Sequence, residues 1–97
     1  MHLTDEQKEA LRKRLRRAEG QVAAVGRMIE EDKYCVDVLM QVRAAMAALG
    51  GVGRIVLENH LDTCVTDAFR ADDDDVRKAK VRELMEVFAK YGTLGSK

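Results

Sequence analysis

Three side chains of this sequence are suited to soft-metal or thiol chemistry, and they occur in the order Cys35, His60, Cys64. His60 and Cys64 are four residues apart, which on an α-helix puts an imidazole and a thiolate on one face within reach of one metal ion. Cys35 cannot join them along a single helix, because the intervening residues would span about 37 Å at 1.5 Å per residue. A second chain would have to supply it. The same residues admit a redox chemistry, in which Cys35 and Cys64 of facing chains react with persulfide or oxidant and join covalently. They also admit nucleophilic catalysis by either thiol with His60 as base. That third reading is the weakest, because the sequence offers no obvious third group to orient the imidazole and a helix seam leaves little room for a substrate. Taken singly, a buried cysteine is most often core, and a histidine on an apolar stripe is most often a satisfied polar neighbour. On spacing alone the metal reading stands beside these plainer ones.

That seam decides how the stretch is read. Leu39, Val42, Met46, Leu49, Gly53 and Val56 recur in steps of three and four, and Cys35 and His60 extend the same row. The stripe keeps its phase across Gly50, Gly51 and Gly53, where a chain reversal has no reason to keep it, so one long helix is expected. Each interior glycine costs about 1 kcal/mol relative to alanine, yet small residues let a partner backbone approach closely. Two such helices packed antiparallel about a two-fold axis would place Cys35 of one chain beside His60 and Cys64 of the other. The rival is a hairpin turning near Gly50, which would bring Cys35 towards Cys64 within one chain.

Ninety-seven residues suit one domain, spanning 1–97, whose modest core is completed by oligomerising. Proline and tryptophan are absent and 35% of residues are charged, which favours an all-α protein over a sheet. The apolar runs read as too short to cross a membrane and the N-terminus lacks a signal-peptide core, so a cytoplasmic protein with no membrane partner is expected. In a reducing compartment two cysteines are more often ligands or sensors than a structural disulfide. The formal net charge of zero conceals a segregation: residues 1–27 carry seven basic groups against four acidic ones, and the remainder ten against thirteen. Arg12, Lys13, Arg14, Arg16 and Arg17 form a cluster that is either a solvated helix face or a phosphate-binding surface.

In chain order, Thr4 with Gln7 resembles a capping box, and the row Leu11, Leu15, Ala18, Val22, Val25, Ile29 carries helix 1 to about Glu31. Asp32 and Lys33 make a short connection, with Tyr34 directly before Cys35, and helix 2 ends near Phe69. Asp72 to Asp75 lack the spacing and glycine turn of a calcium loop, so they read as a solvated loop and cap for helix 3. That helix carries Val81, Leu84, Phe88 and Tyr91 on one stripe as far as Gly92, after which a frayed tail is expected.

Arg14 to Val22 (Arg-Leu-Arg-Arg-Ala-Glu-Gly-Gln-Val), Tyr34 to Leu39 (Tyr-Cys-Val-Asp-Val-Leu) and His60 to Cys64 (His-Leu-Asp-Thr-Cys) resemble the copper-sensing repressors of the CsoR and RcnR family. The resemblance covers nearly the whole chain. It implies an all-α DNA-binding repressor of three helices per chain with a long helix 2, a dimer built as an antiparallel four-helix bundle, and a flat homotetramer. Cu(I) would be bound between subunits by Cys35 of one chain and His60 and Cys64 of the other, releasing double-stranded operator DNA and derepressing copper export genes. Tyr34 and Glu83 would support the ligands from outside the coordination sphere. Arg14 and Arg16 on helix 1, with Arg17 in the same cluster, and Arg54 on helix 2 would contact DNA. Gly51 departs from the family pattern, which often has a basic residue nearby. The donor set agrees with the resemblance, since two thiolates and an imidazole suit Cu(I). Persulfide sensing and a Ni(II) or Co(II) response are the alternatives. In the nickel and cobalt branch an N-terminal histidine joins the site, but His2 sits slightly off that position and reads as an exposed terminal residue.

Overall fold

Thr4 opens the first helix as its sequence predicts. In the computed structural model, which describes residues 3–95, its hydroxyl accepts from Gln7 N–H while the Gln7 side chain accepts from Thr4 N–H, and α1 runs from Asp5 to Glu30. The terminal histidine, His2, lies outside the described residues. At the other end of α1, Lys33 N–H donates to the Met28 carbonyl and Asp32 N–H to that of Ile29, the paired bonds of a Schellman closure. The residue that must turn left-handed there is Asp32, at φ 52°. Asparagine and aspartate tolerate that conformation better than other side chains, but glycine adopts it without the Cβ penalty. Asp32→Gly should therefore stabilise the protein by about 0.5–1 kcal/mol, read as a higher urea midpoint at unchanged slope.

α2 runs unbroken from Cys35 to Arg70, 36 residues, and lies along a molecule 60 Å in its longest dimension. The hairpin near Gly50 is therefore excluded. Among the described residues the buried hydrophobics are Leu11 and Ala18 of α1 and Ala45 and Leu57 of α2, a small core for this length of chain. The seam predicted along α2 is mostly not the face that meets α1: Leu39, Met46 and Leu49 remain 56–69% exposed. α2 is thus apolar on more than one side, as a helix central to a larger bundle must be. One expectation is corrected here, because α2 is long and apolar enough by composition to cross a membrane. Length and composition do not separate a membrane span from a helix enclosed by other helices.

The aspartate run does cap the last helix. Asp73 accepts from Asp75 N–H at 2.8 Å, and α3 follows from Asp74 to Tyr91. Arg77 ties its first turn to α2 by donating to the carbonyls of Ala68 and Ala71, at 3.2 and 2.6 Å. Val81, Leu84, Val87 and Tyr91 line grooves between α3 and α2, and Phe88, 57% exposed, borders a further groove there with Leu61 and Val65. The frayed tail is also corrected as far as Gly95, with Ser96 and Lys97 outside the described residues. Residues 92–95 turn back onto the middle of α2, with Leu94 against Gly53 and Gly95 against Gly50. The small residues expected to admit a partner's backbone admit the chain's own C-terminal segment at these two positions.

Candidate metal centre

One helical turn of α2 separates His60 from Cys64, and their side chains meet: His60 Nε2 lies 3.4 Å from Cys64 Sγ, with both residues half-buried. α3 then adds a donor that helical spacing gave no reason to place here. A carboxylate oxygen of Glu83, a ring nitrogen of His60 and Cys64 Sγ all lie within 4.8 Å of one another. In the folded chain an exposed carboxylate therefore stands near the His60–Cys64 pair. Only the context Val81-Arg82-Glu83-Leu84, through its family resemblance, pointed to this residue.

The surroundings of the pair are apolar. His60 borders a groove of about 420 Å³ shared with Val56, Leu57, Val87, Tyr91 and Leu94, and Cys64 borders a second groove with Val65, Ala68, Val81 and Leu84. Apolar walls offer few groups to compete for the donors and lower the local dielectric, which strengthens the interaction between thiolate and cation. A nitrogen and a sulfur donor already in contact suit a soft or borderline ion and leave one side open for a further ligand.

Cys35 and Tyr34 stand elsewhere. Cys35 is the exposed first residue of α2, and Tyr34 is its N-cap, 67% exposed and without a side-chain capping bond. The helix between Cys35 and His60 is continuous, so the separation of about 37 Å holds within one protomer. Both cysteines are free thiols. A protomer thus brings together His60, Cys64 and Glu83, and carries Cys35 and Tyr34 at the opposite end of the same helix.

The basic residues are divided similarly. Arg14 and Arg17, three apart on α1, line a shallow depression with Gln21, Ala44, Ala47 and Ala48. Arg14 Nη1 comes within 3.4 Å of where a side chain on Gly51 would begin, so the absent basic residue at that position leaves room for a guanidinium from α1. Arg54 is exposed one turn further along α2 and pairs with Glu58 at 3.8 Å, a solvent-exposed contact worth little. Arg16 is exposed too, but two residues from Arg14 it is turned by about 200° around the helix. It does not line the depression.

Residues 7–90 match the family model described as a metal-sensitive transcriptional repressor. The copper-sensing transcriptional repressor RicR of Mycobacterium tuberculosis is 54% identical over 67 residues, 69% of this chain and 70% of that protein. Among solved structures, the copper-sensing repressor CsoR with Cu(I) from Geobacillus thermodenitrificans has a TM-score of 0.76 at 40% identity, covering 95% of this chain and 93% of that one. The nickel-responsive transcriptional regulator InrS also has a TM-score of 0.76, at 31% identity, covering 94% of this chain and 99% of that one.

Proposed function

Because this chain belongs to the family of metal-sensitive transcriptional repressors, we propose that it represses transcription in the cytoplasm by binding double-stranded operator DNA and releases it when Cu(I) occupies an intersubunit site. The observation that carries the reading is the position of the donors on one unbroken helix. His60 and Cys64 are in contact at one end of the seam, and Cys35 is exposed at the other. Two copies of α2 packed antiparallel would bring the two ends together twice per dimer. The exposed row Leu39, Met46 and Leu49 lies along that seam and would be buried by the partner. Pairing of dimers into a flat tetramer would enclose more of the apolar surface.

The donors have distinct tasks. Cys35 of one protomer and His60 and Cys64 of its partner would hold the ion, whose preference for soft ligands makes the two thiolates decisive. Glu83, beside His60, would fix the imidazole's orientation and tautomer, and Tyr34 would cover the Cys35 end. An ion held this way ties the start of one α2 to the far end of the other. It therefore favours whichever packing of the two protomers brings them closest, and a ligand shifts an equilibrium only through such a difference in affinity between states. Displacement of the basic residues on α1 and α2 would then weaken the phosphate contacts and release the operator. The chain acts by binding, with no catalytic step.

Anaerobic titration of the reduced protein with Cu(I) against a competing chelator tests this directly. Saturation is expected at one ion per chain, with loss of DNA binding over the same range of copper. A protein unable to compete for Cu(I) would end the copper reading. A nickel response is the second reading, favoured by the position of Glu83: an oxygen donor beside His60 and Cys64 suits a borderline divalent ion better than Cu(I). A parallel Ni(II) titration with the same DNA readout separates the two.

A further inference from the structure

α3 contributes no fully buried residue, and its half-buried Leu84 and Val87 meet α2 across open grooves, so the contacts at its two ends reinforce a loosely filled interface. At the first end, Arg77 donates to the Ala68 and Ala71 carbonyls. At the second, the segment after Tyr91 folds back over the glycines of α2. A Cβ built on Gly53 would lie 2.9 Å from Leu94 Cδ1, and one built on Gly50 would lie 3.0 Å from Gly95 N. Both glycines are therefore occupied notches, and a larger residue at either would displace the tail. Gly95 has φ +80°, and a Cβ there would meet the Gly50 carbonyl oxygen at 3.0 Å and Arg54 Cβ at 3.1 Å. Its backbone lies along the aliphatic stem of Arg54. Between the two attachments the α2–α3 interface is incompletely filled, and its groove is bordered by His60 on α2 and by Leu94 of the tail.

We propose that residues Gly92–Gly95 form a clasp coupling the metal centre to the DNA-binding surface, with Leu94 a positioning residue that responds to His60 and holds Arg54 through Gly95. The inference rests on the copper-repressor reading and adds a route by which occupancy at His60 reaches the DNA face. Leu94 and His60 share one apolar groove that is not tightly packed, so a change in the imidazole's position alters the surface on which Leu94 rests. The unfilled space of about 420 Å³ beside Leu94 gives its side chain room for a second position, so docked and undocked arrangements of the segment are both sterically open. With the clasp docked, Gly95 restricts the Arg54 stem, and the exposed guanidinium, weakly paired with Glu58 at 3.8 Å, can exchange that carboxylate for a phosphate. Fixing His60 on the ion undocks Leu94 and frees Arg54 to wander. Both sites then bias one two-state element, which is what energetic coupling between them requires.

The test uses full-length Leu94→Ala, Gly95→Ala and Leu94→Met. DNA affinity is measured with and without Cu(I) on a fluorescent duplex selected in vitro by the wild-type protein, and Cu(I) affinity by chelator competition. Leu94 is 41% exposed, so its truncation should leave the helices intact, which circular dichroism checks. In the wild type, copper should lower DNA affinity on the order of 5–150-fold, the usual range of such couplings. In Leu94→Ala and Gly95→Ala the metal-free affinity should fall to that of the copper-loaded wild type, with copper adding no more than about a threefold further loss and Cu(I) binding retained. Leu94→Met, which refills the notch, should restore the response. The clasp is overturned if the two disruptive variants keep the wild-type ratio of affinities, including the case in which both forms weaken equally, as a purely structural role requires. If copper leaves the wild type's own DNA binding untouched, the repressor reading itself has failed and the clasp goes with it.

Discussion

Cys35→Ala should abolish tight Cu(I) binding while leaving the helices, the oligomer and metal-free DNA binding in place. Losing a group that merely supports a ligand costs on the order of 10–100-fold in metal affinity, and losing a thiolate ligand should cost more. Cys35 is exposed at the first residue of α2 and makes no packing contribution to its own protomer's core, so the effect is confined to the site. His60→Ala should produce a similar loss, which separates this chemistry from a persulfide switch that needs only the thiols. A stronger test mixes subunits. Cys35→Ala and Cys64→Ala proteins each lack every intact site, but a heterodimer restores one of its two. Random exchange should therefore recover roughly a quarter of the wild-type tight sites. Recovery of none would mean that all donors come from one chain, which the continuous α2 makes difficult to satisfy.

Arg14→Ala and Arg17→Ala should each weaken DNA binding in a way that depends on salt and not on sequence. The two guanidinium groups border one depression between α1 and α2, and Arg14 extends over Gly51. Removing one phosphate-neutralising cation should reduce the slope of log K against log salt by roughly 0.9, so the double variant should lose about two units of slope. Arg16→Ala serves as the internal comparison, because Arg16 does not line the depression. An equal change of slope in Arg16→Ala would mean that the whole basic cluster, and not this groove, faces the operator. All three measurements are made without copper, so they read the DNA surface separately from the switch.

Much of this architecture is legible in the chain itself. Thr4 with Gln7 sets the start of α1, Asp73 sets the start of α3, and the unbroken phase from Cys35 to His60 makes α2 one helix despite its glycines. The pairing of His60 with Cys64 follows from a spacing of four, since local backbone geometry alone brings such residues together. These are short-range properties, fixed by capping chemistry and helical period before any helix meets another.

What the chain could not disclose are the relations between helices. Period identifies which residues share a face, but α2 is apolar on several faces, so only packing decided that Ala45 and Leu57 turn inward while Leu39 and Met46 stay exposed. Glu83 reaches His60 and Cys64 because α3 doubles back along α2, and the length of the aspartate loop does not fix that register. Likewise Gly50 and Gly53 read as a place for a partner's backbone, whereas in the fold Leu94 and Gly95 occupy it. A missing side chain specifies a space, and only the tertiary fold determines what fills it.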